Sequence, residues 1–410
     1  MDYVLCARIT NPIVRKGIYM KNKIIAGFAG ITLLLSSFAT AQDWCGCECG
    51  DDFWLNAEYL YWKIQDSPKV IPLVVEGPDG LDGDPVLNQP NTTIILGDES
   101  INNNWRSGAR FGVGYWFDGE RCLGVEANYF FLPTGTTKTT VFTDGLAGSA
   151  ALYVPFIDVT TGLESSYQLA DPSSFSGLAV LKGSNDMQGA EINLLTTMPY
   201  TCESNIVLLA GFRYWNFHDR LSFDTNSPDV PPGTIDIYET LDKFHVQNNF
   251  YGGQVGVKFN YTCNQFFVNV EGKVALGALC QKVNIGGTFT TDHFSTPGTG
   301  VDYVGGLFAL PTNIGGHSRT TFSVLPEVKV DLGYMVTDCF RVKVGYSFLY
   351  VSNVLWASKQ LSRDINPTQS GAITFTNPQP TLNGEAAPVA SLKGDGLWVQ
   401  GVNAGIEFTF

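Results

Sequence analysis

Val402-Asn403-Ala404-Gly405-Ile406-Glu407-Phe408-Thr409-Phe410 closes the chain with an apolar side chain at every even position and a polar or small one between. Successive side chains of a β-strand point to opposite faces. Period two therefore puts Val402, Ala404, Ile406, Phe408 and Phe410 on one face and Asn403, Glu407 and Thr409 on the other. The final residue is aromatic, so the strand ends on an apolar anchor.

Working upstream, the same sorting by parity recurs. Phe340, Val342, Val344, Tyr346, Phe348 and Tyr350 alternate with Arg341, Lys343 and Ser347. Phe322, Val324, Val328, Val330, Leu332 and Tyr334 alternate with Glu327, Lys329 and Asp331. Phe266, Val268, Val270, Val274 and Leu276 alternate with Asn269, Glu271 and Lys273. Noisier examples run over Tyr251 to Phe259, Ile206 to Tyr214, Ala190 to Met198, Leu123 to Phe131 and Trp105 to Phe117. In the first strand, Phe53 to Tyr61, Trp54 and Trp62 share a face with Asn56 and Glu58. Pro326 falls inside a strand, where it cannot donate to the ladder, and predicts a bulge.

A water-soluble sandwich would alternate in the same way, so other features must decide. Met20-Lys21-Asn22-Lys23, the apolar run Ile24 to Leu35 and Ala39-Thr40-Ala41 have the layout of a cleaved secretory signal. The expected organisation is an N-terminal extension plus signal peptide over 1–41, a Cys-rich periplasmic segment over 42–51 and one barrel over 52–410. Removing Arg8, Arg15, Lys16, Lys21, Lys23 and Asp2 from the 25 basic and 39 acidic residues leaves 20 and 38, a net −18. Such acidity argues against a nucleic-acid partner. Mean hydropathy of +0.03 does not suit a helical bundle in lipid. Connections alternate strictly between short (118–121, 201–204, 261–264, 337–338) and long (65–104, 133–186, 218–248, 287–320, 352–397). That is the layout of short periplasmic turns and long extracellular loops. The expected fold is all-β: a closed up-and-down antiparallel transmembrane β-barrel of about ten strands. Twelve is the alternative, because Thr93 to Leu96 and Lys138 to Phe142 also read as strand. Phe117, Phe259, Phe266, Tyr334, Phe340 and Phe408 would form an interfacial girdle, and Phe408 and Phe410 the C-terminal insertion signal for the barrel-assembly machinery.

The enclosed face is expected to line a lumen with Arg106, Arg110, Arg213, Lys258, Lys273, Lys329, Arg341 and Lys343 against Glu58, Glu126, Glu191, Glu271, Glu327, Asp331 and Glu407. In a narrow barrel these charges pair and fill the interior; in a wider one they set a transverse field across a hydrated pore.

Further motifs follow in order: Trp54-Leu55-Asn56-Ala57-Glu58-Tyr59-Leu60-Tyr61-Trp62, Ile71-Pro72-Leu73-Val74, Ile95-Leu96-Gly97, Arg106-Ser107-Gly108-Ala109-Arg110, Gly114-Tyr115-Trp116-Phe117-Asp118, Gly211-Phe212-Arg213-Tyr214-Trp215 and Phe250-Tyr251-Gly252-Gly253-Gln254-Val255-Gly256. By their order and spacing the chain resembles the planctomycete-type outer-membrane β-barrel porin family, also found in chlamydia-related bacteria. The resemblance implies an outer-membrane location and porin activity. The expected function is passive diffusion of small hydrophilic solutes past a constriction at Arg106, Arg110, Arg213 and Glu271. The alternative is a structural or adhesive wall protein with a plugged lumen.

Cys122, Cys202, Cys263 and Cys339 lie at the short turns, and Cys45, Cys47 and Cys49 precede the first strand on the same rim; Cys280 lies toward the outside. In an exported chain these seven are disulfide candidates, within the chain or to other envelope proteins or a second copy. Cys-x-Cys-x-Cys is too tightly spaced for a zinc site. His218, His245, His293 and His317 fall in loop segments; His218-Asp219 and Asp292-His293 are adjacent pairs, and adjacent residues point apart. No nucleophile elbow, zinc-protease or phosphate-loop motif occurs, so no enzyme, metal or cofactor is expected.

Overall fold

The computed structural model describes residues 52–117, 122–199, 203–230, 236–293, 300–374 and 381–410. Its strands, in chain order, are β1 (Phe53–Ile64), β2 (Val74–Gly77), β3 (Thr93–Leu96), β4 (Arg106–Trp116), β5 (Leu123–Thr143), β6 (Ala151–Asp158), β7 (Leu163–Ala170), β8 (Gly177–Pro199), β9 (Ser204–Pro228), β10 (Asp236–Cys263), β11 (Phe266–His293), β12 (Val301–Val304), β13 (Gly315–Met335), β14 (Phe340–Val354), β15 (Asp364–Ile365) and β16 (Asp395–Thr409). Hydrogen bonds lead sideways from β1 through β4, β5, β8, β9, β10, β11, β13, β14 and β16, and back to β1. Every pairing in this ring is antiparallel, so the barrel has ten strands. Thr93–Leu96 stays outside the ring, and Lys138 to Phe142 lengthens β5. Short turns and both ends of the barrel share one rim: Phe53 and Phe410 exchange backbone hydrogen bonds of 3.2 and 2.8 Å there.

Pro326 does not make a bulge. It sits in unbroken register opposite Val274, and the β13–β14 ladder begins only at Glu327. The proline therefore lies just past the end of that ladder, where a missing donor costs little.

On the outer face, the apolar stretch is bounded. Along β9, Ile206, Leu208, Ala210, Phe212 and Tyr214 give way to Asn216, His218, Arg220 and Ser222. Along β10, Tyr261, Phe259, Val257, Val255 and Tyr251 give way to Asn249, Gln247, His245 and Lys243. On β13 the stretch from Phe322 to Tyr334, at ~3.3 Å per residue and a tilt of ~40°, rises roughly 30 Å, close to the height of a bilayer core. Large apolar side chains are exposed throughout it, among them Phe111, Leu194, Val255, Leu276, Leu332 and Val344. A continuous exposed apolar belt of this height is stable against lipid and costly against water. Aromatics mark the short-turn edge, with Phe340–Phe408 ring centroids 4.8 Å apart and Phe266–Tyr334 5.2 Å apart.

The strands continue well above this belt. The β10–β11 hairpin is paired without interruption from Cys263↔Phe266 to Asp236↔His293. Most of the expected loop 218–248, and much of 133–186 and 287–320, is thus barrel wall. A second sheet, ordered β15-β6-β2-β3 with β7 on β6, is drawn from the connections 65–104, 133–186 and 352–397, while β12 pairs with the upper end of β11. Its core includes Leu152, Val154, Phe156, Leu169 and Leu73, packed with inward-facing Phe223, Phe244, Val246, Val283 and Phe289 of the extended strands.

Candidate functional site

The barrel interior is layered. Nearest the short turns, all ten strands send in one or more charged side chains. Glu58 accepts from Lys329 (2.5 Å) and Lys343 (2.9 Å) and faces Arg110 (3.6 Å). Arg110 reaches Glu327 (2.9 Å), which also takes Arg213 (2.5 Å). Arg213 lies 3.6 Å from Glu191, and Glu191 pairs with Lys273 (2.6 Å), which continues to Glu271 (2.8 Å). Lys258 joins Glu271 (3.9 Å) to Glu126 (2.5 Å). On the other side Lys329 holds Asp331 (3.1 Å), and Glu407 lies between Lys343 (3.5 Å) and Arg341 (3.3 Å). The result is one connected network of seven bases and seven acids. Its members are largely buried, and a charge can stay there only when paired on several sides. Asn193 and Gln254 extend it, their side-chain amides donating to Glu126 and Glu191.

Arg106 stands apart from this network. It lies higher, opposite Trp62, and donates to the carbonyls of Asn185 (2.8 Å) and Pro133 (3.4 Å) rather than joining the network. The remaining expected lumen residues all belong to it, together with Glu58.

Above the ionic layer the inner face becomes apolar. Leu60, Trp62, Ile64, Phe130, Leu132, Met187, Trp215, Phe217, Phe250, Leu279, Leu325, Leu349, Val351, Leu397 and Val399 form one buried cluster. Arg110 sits at the junction, its guanidinium 5.2 Å from the Trp62 ring and 5.7 Å from that of Phe130. The connection after β14 turns into the barrel and adds Trp356 to the same cluster, edge-on to Phe217 at 5.4 Å. Two inward polar side chains catch its backbone. Asn248 bonds both the N–H (2.9 Å) and the C=O (3.0 Å) of Leu355, and Asp219 accepts from the N–H of Ala357 (2.8 Å). Higher up, Asp242 accepts from the N–H groups of Leu307, Phe308 and Ala309 at 3.1, 3.1 and 2.7 Å, seating a second connection. Burial pushes the Asp242 carboxyl up to about 7 and that of Asp219 up to about 6, although these amide bonds favour the anions.

A cavity of about 340 Å³ occupies the short-turn end, between Trp54, Trp116, Asn205, Asn260 and Thr262 below and the ionic layer above. Of the apolar layer only Phe130 lines it.

His218 and Asp219 point to opposite faces, as adjacent strand residues must. His218 instead meets Asp186 of β8 across the outer face (3.0 Å), a contact that parity and register jointly encode. His317 bonds the carbonyl of Asn313 (2.9 Å), and the side chain of His293 lies outside the described residues. Cys263 and Cys280 are free thiols and Cys339 is disulfide-bonded. Cys280, expected beyond the seventh strand toward the outside, is a mid-strand residue of β11 on the side away from the short turns. Cys45, Cys47, Cys49 and Cys202 lie outside the described residues.

A closed ten-stranded barrel with a lipid-height apolar belt outside and paired charges inside defines an outer-membrane β-barrel. The chain belongs to the family described as putative beta barrel porin-7 (BBP7), which matches residues 54–410. No curated protein matches it. Among solved structures it is similar to the outer membrane protease OmpT of Escherichia coli (10% identity, TM-score 0.41, 88% of this chain and 97% of that one). It is also similar to a Pseudomonas aeruginosa FadL homologue (10%, TM-score 0.20, 87% and 90%) and a TodX monoaromatic hydrocarbon channel mutant (8%, TM-score 0.20, 88% and 91%).

Proposed function

We propose that this barrel is closed at rest and serves the outer membrane as a wall and surface-presenting component. The observation that carries this reading is the apolar layer from Leu60 to Val399, completed by Trp356, which fills the lumen above the ionic network. A hydrated ion would have to shed water among aromatic and aliphatic side chains to pass, the arrangement by which hydrophobic constrictions stop conduction. The ionic network below is equally occupied, since each charge that could steer a solute is already bound to a neighbour. The ordered second sheet gives the outer end a folded body able to meet partners. In this reading residues 1–41 are removed on export, 42–51 stay periplasmic, Phe408 and Phe410 serve the assembly machinery, and rim cysteines other than Cys339 link the barrel to envelope neighbours.

A gated channel for small hydrophilic solutes is the second reading. The charge-lined 340 Å³ cavity and the family membership favour it; it requires the Leu355–Ala357 segment to leave the barrel. Planar-bilayer recording of the purified full chain separates the two. Silence across the voltage range is expected for the closed wall. Steady ohmic current would overturn it in favour of the channel.

A further inference from the structure

Above the lipid belt, on the outer face of β5, β8, β9, β10 and β11, the registers place basic residues side by side. Lys138 is opposite Lys182, Lys182 opposite Ser222, and Ser222 opposite Lys243. Arg220 stands opposite His245 one outward position lower, and Lys282 lies lower again, opposite Gln247. The four lysines are exposed. Among the described residues every lysine is in an ion pair except these four and Lys393. The acid inside the patch is neutralised: Asp186 accepts from Arg220 (2.7 Å) and contacts His218 (3.0 Å). The next acids, Asp224 and Glu239, lie above the lysines and are engaged by Ser222 and Asn226. In a chain of strongly negative balance, leaving four neighbouring ammonium groups unpaired on one face is a localised expense of repulsion, and it calls for an anionic partner.

Height selects the partner. Lys282 is four residues above Ala278, which shares a row with Tyr251 at the edge of the belt, and Lys243 is eight above Tyr251. At ~3.3 Å per residue and ~40° tilt this spans roughly 10 to 20 Å above the hydrocarbon. A phospholipid headgroup layer is only about 5–7 Å thick. A molecule reaching the patch from beside the barrel must be rooted in the same leaflet yet carry its anions higher.

We propose that this face binds phosphate groups on the saccharide of an outer-leaflet glycolipid. Lys138, Lys182, Lys243 and Lys282 bind the phosphates, and the Asp186–Arg220–His218 cluster holds the surface beneath them. The inference rests on the membrane orientation of the barrel and not on whether its lumen conducts.

The test uses full-length protein folded in neutral detergent and lipopolysaccharide with a phosphorylated core as the probe, binding being followed by fluorescence at low and high salt. Expected are saturable, salt-sensitive binding, a loss on the order of 1,000-fold at low salt in the Lys138→Gln/Lys182→Gln/Lys243→Gln/Lys282→Gln variant, and a large loss with enzymatically dephosphorylated probe. Unchanged heat-modifiable migration of the variant on gels checks that it folds. Equal binding of phosphatidylglycerol micelles, full competition by inorganic phosphate at equal concentration, or unaltered binding by the variant would each overturn the proposal.

Discussion

Glu58 is the sharpest place to disturb the interior. Its side chain is 1% exposed and three cations converge on it, Lys329 at 2.5 Å, Lys343 at 2.9 Å and Arg110 at 3.6 Å. At an effective dielectric of ~20, a unit pair about 3 Å apart attracts by about 5 kcal/mol, most of which offsets the desolvation of both groups. Glu58→Gln keeps one acceptor oxygen but leaves the layer with seven positive and six negative charges. Breaking a buried pair from one side costs about 3–5 kcal/mol, so we expect a loss near the lower end, about 3 kcal/mol. Glu407→Gln is the control. Glu407 also touches two cations, at 3.3 and 3.5 Å, but is partly exposed (16%) and should cost about 1 kcal/mol. Urea unfolding in lipid bilayers, followed by tryptophan fluorescence, measures both. A cycle with Lys329→Met should return a coupling of about 2 kcal/mol. If Glu58→Gln proves no costlier than Glu407→Gln, or the coupling vanishes, the ionic layer is not holding the barrel together.

The other expectations are shorter. Trp356→Ala should cost about 3 kcal/mol of stability, speed hydrogen exchange over residues 355–374 and produce intermittent current in planar bilayers; unaltered exchange would show that the connection is not anchored by this ring. Arg213→Ala breaks contacts to Glu191 and Glu327 yet leaves the apolar layer whole, so bilayers should stay silent, and conductance from this change alone would place the barrier in the ionic layer. Asp242 has a carboxyl raised to about 7 and Asp219 one raised to about 6 in the folded protein. The native state therefore binds these protons more tightly than the unfolded chain does. Their contribution is fully present below the unfolded value near 4 and is lost as pH climbs through about 6 to 7. Exchange over residues 305–314, corrected for intrinsic rate, should accelerate between pH 5 and 8, and Asp242→Asn should flatten that dependence.

The lower barrel was legible because one rule governs it: lipid outside, paired charge inside, so parity alone sorts Val328, Val330 and Leu332 from Glu327, Lys329 and Asp331. The upper barrel obeys the reverse rule. Along β10 the apolar residues are Phe259, Val257, Val255 and Tyr251 up to the belt's edge, then Phe250, Val246 and Phe244 beyond it. Parity flips between Tyr251 and Phe250 with no slip in register. A strand read by one parity stops there, which is why 218–248 reads as a loop. The flip is itself a local signal, marking where water replaces lipid outside and a protein core replaces charge inside. β9 shows it between Tyr214 and Trp215, β11 between Ala278 and Leu279. The partners of Trp356 were beyond local reading, because the segment after β14 has no period and its seat depends on Asn248 and Asp219, more than a hundred residues away. Parity likewise put Arg106 on the inner face without giving its height.

Placing the two layers in series has a consequence for any channel built on this frame. An apolar layer could open by withdrawing one segment, since Trp356 arrives on a connection and not on a strand. The ionic layer has no such freedom. Its fourteen groups stand on the ten strands themselves, and separating them would strand charges in a narrow interior at several kcal/mol each. Solute passage would therefore have to thread between paired side chains, and the strands, joined edge to edge around the ring, leave no free edge along which the wall could widen. A network that balances seven bases with seven acids also presents little net field to attract ions of either sign. The same pairing that makes ten strands a rigid wall thus makes them a poor selectivity filter, and functional variation in such a protein belongs on the outer body and outer face, where Lys138, Lys182, Lys243 and Lys282 remain free to bind.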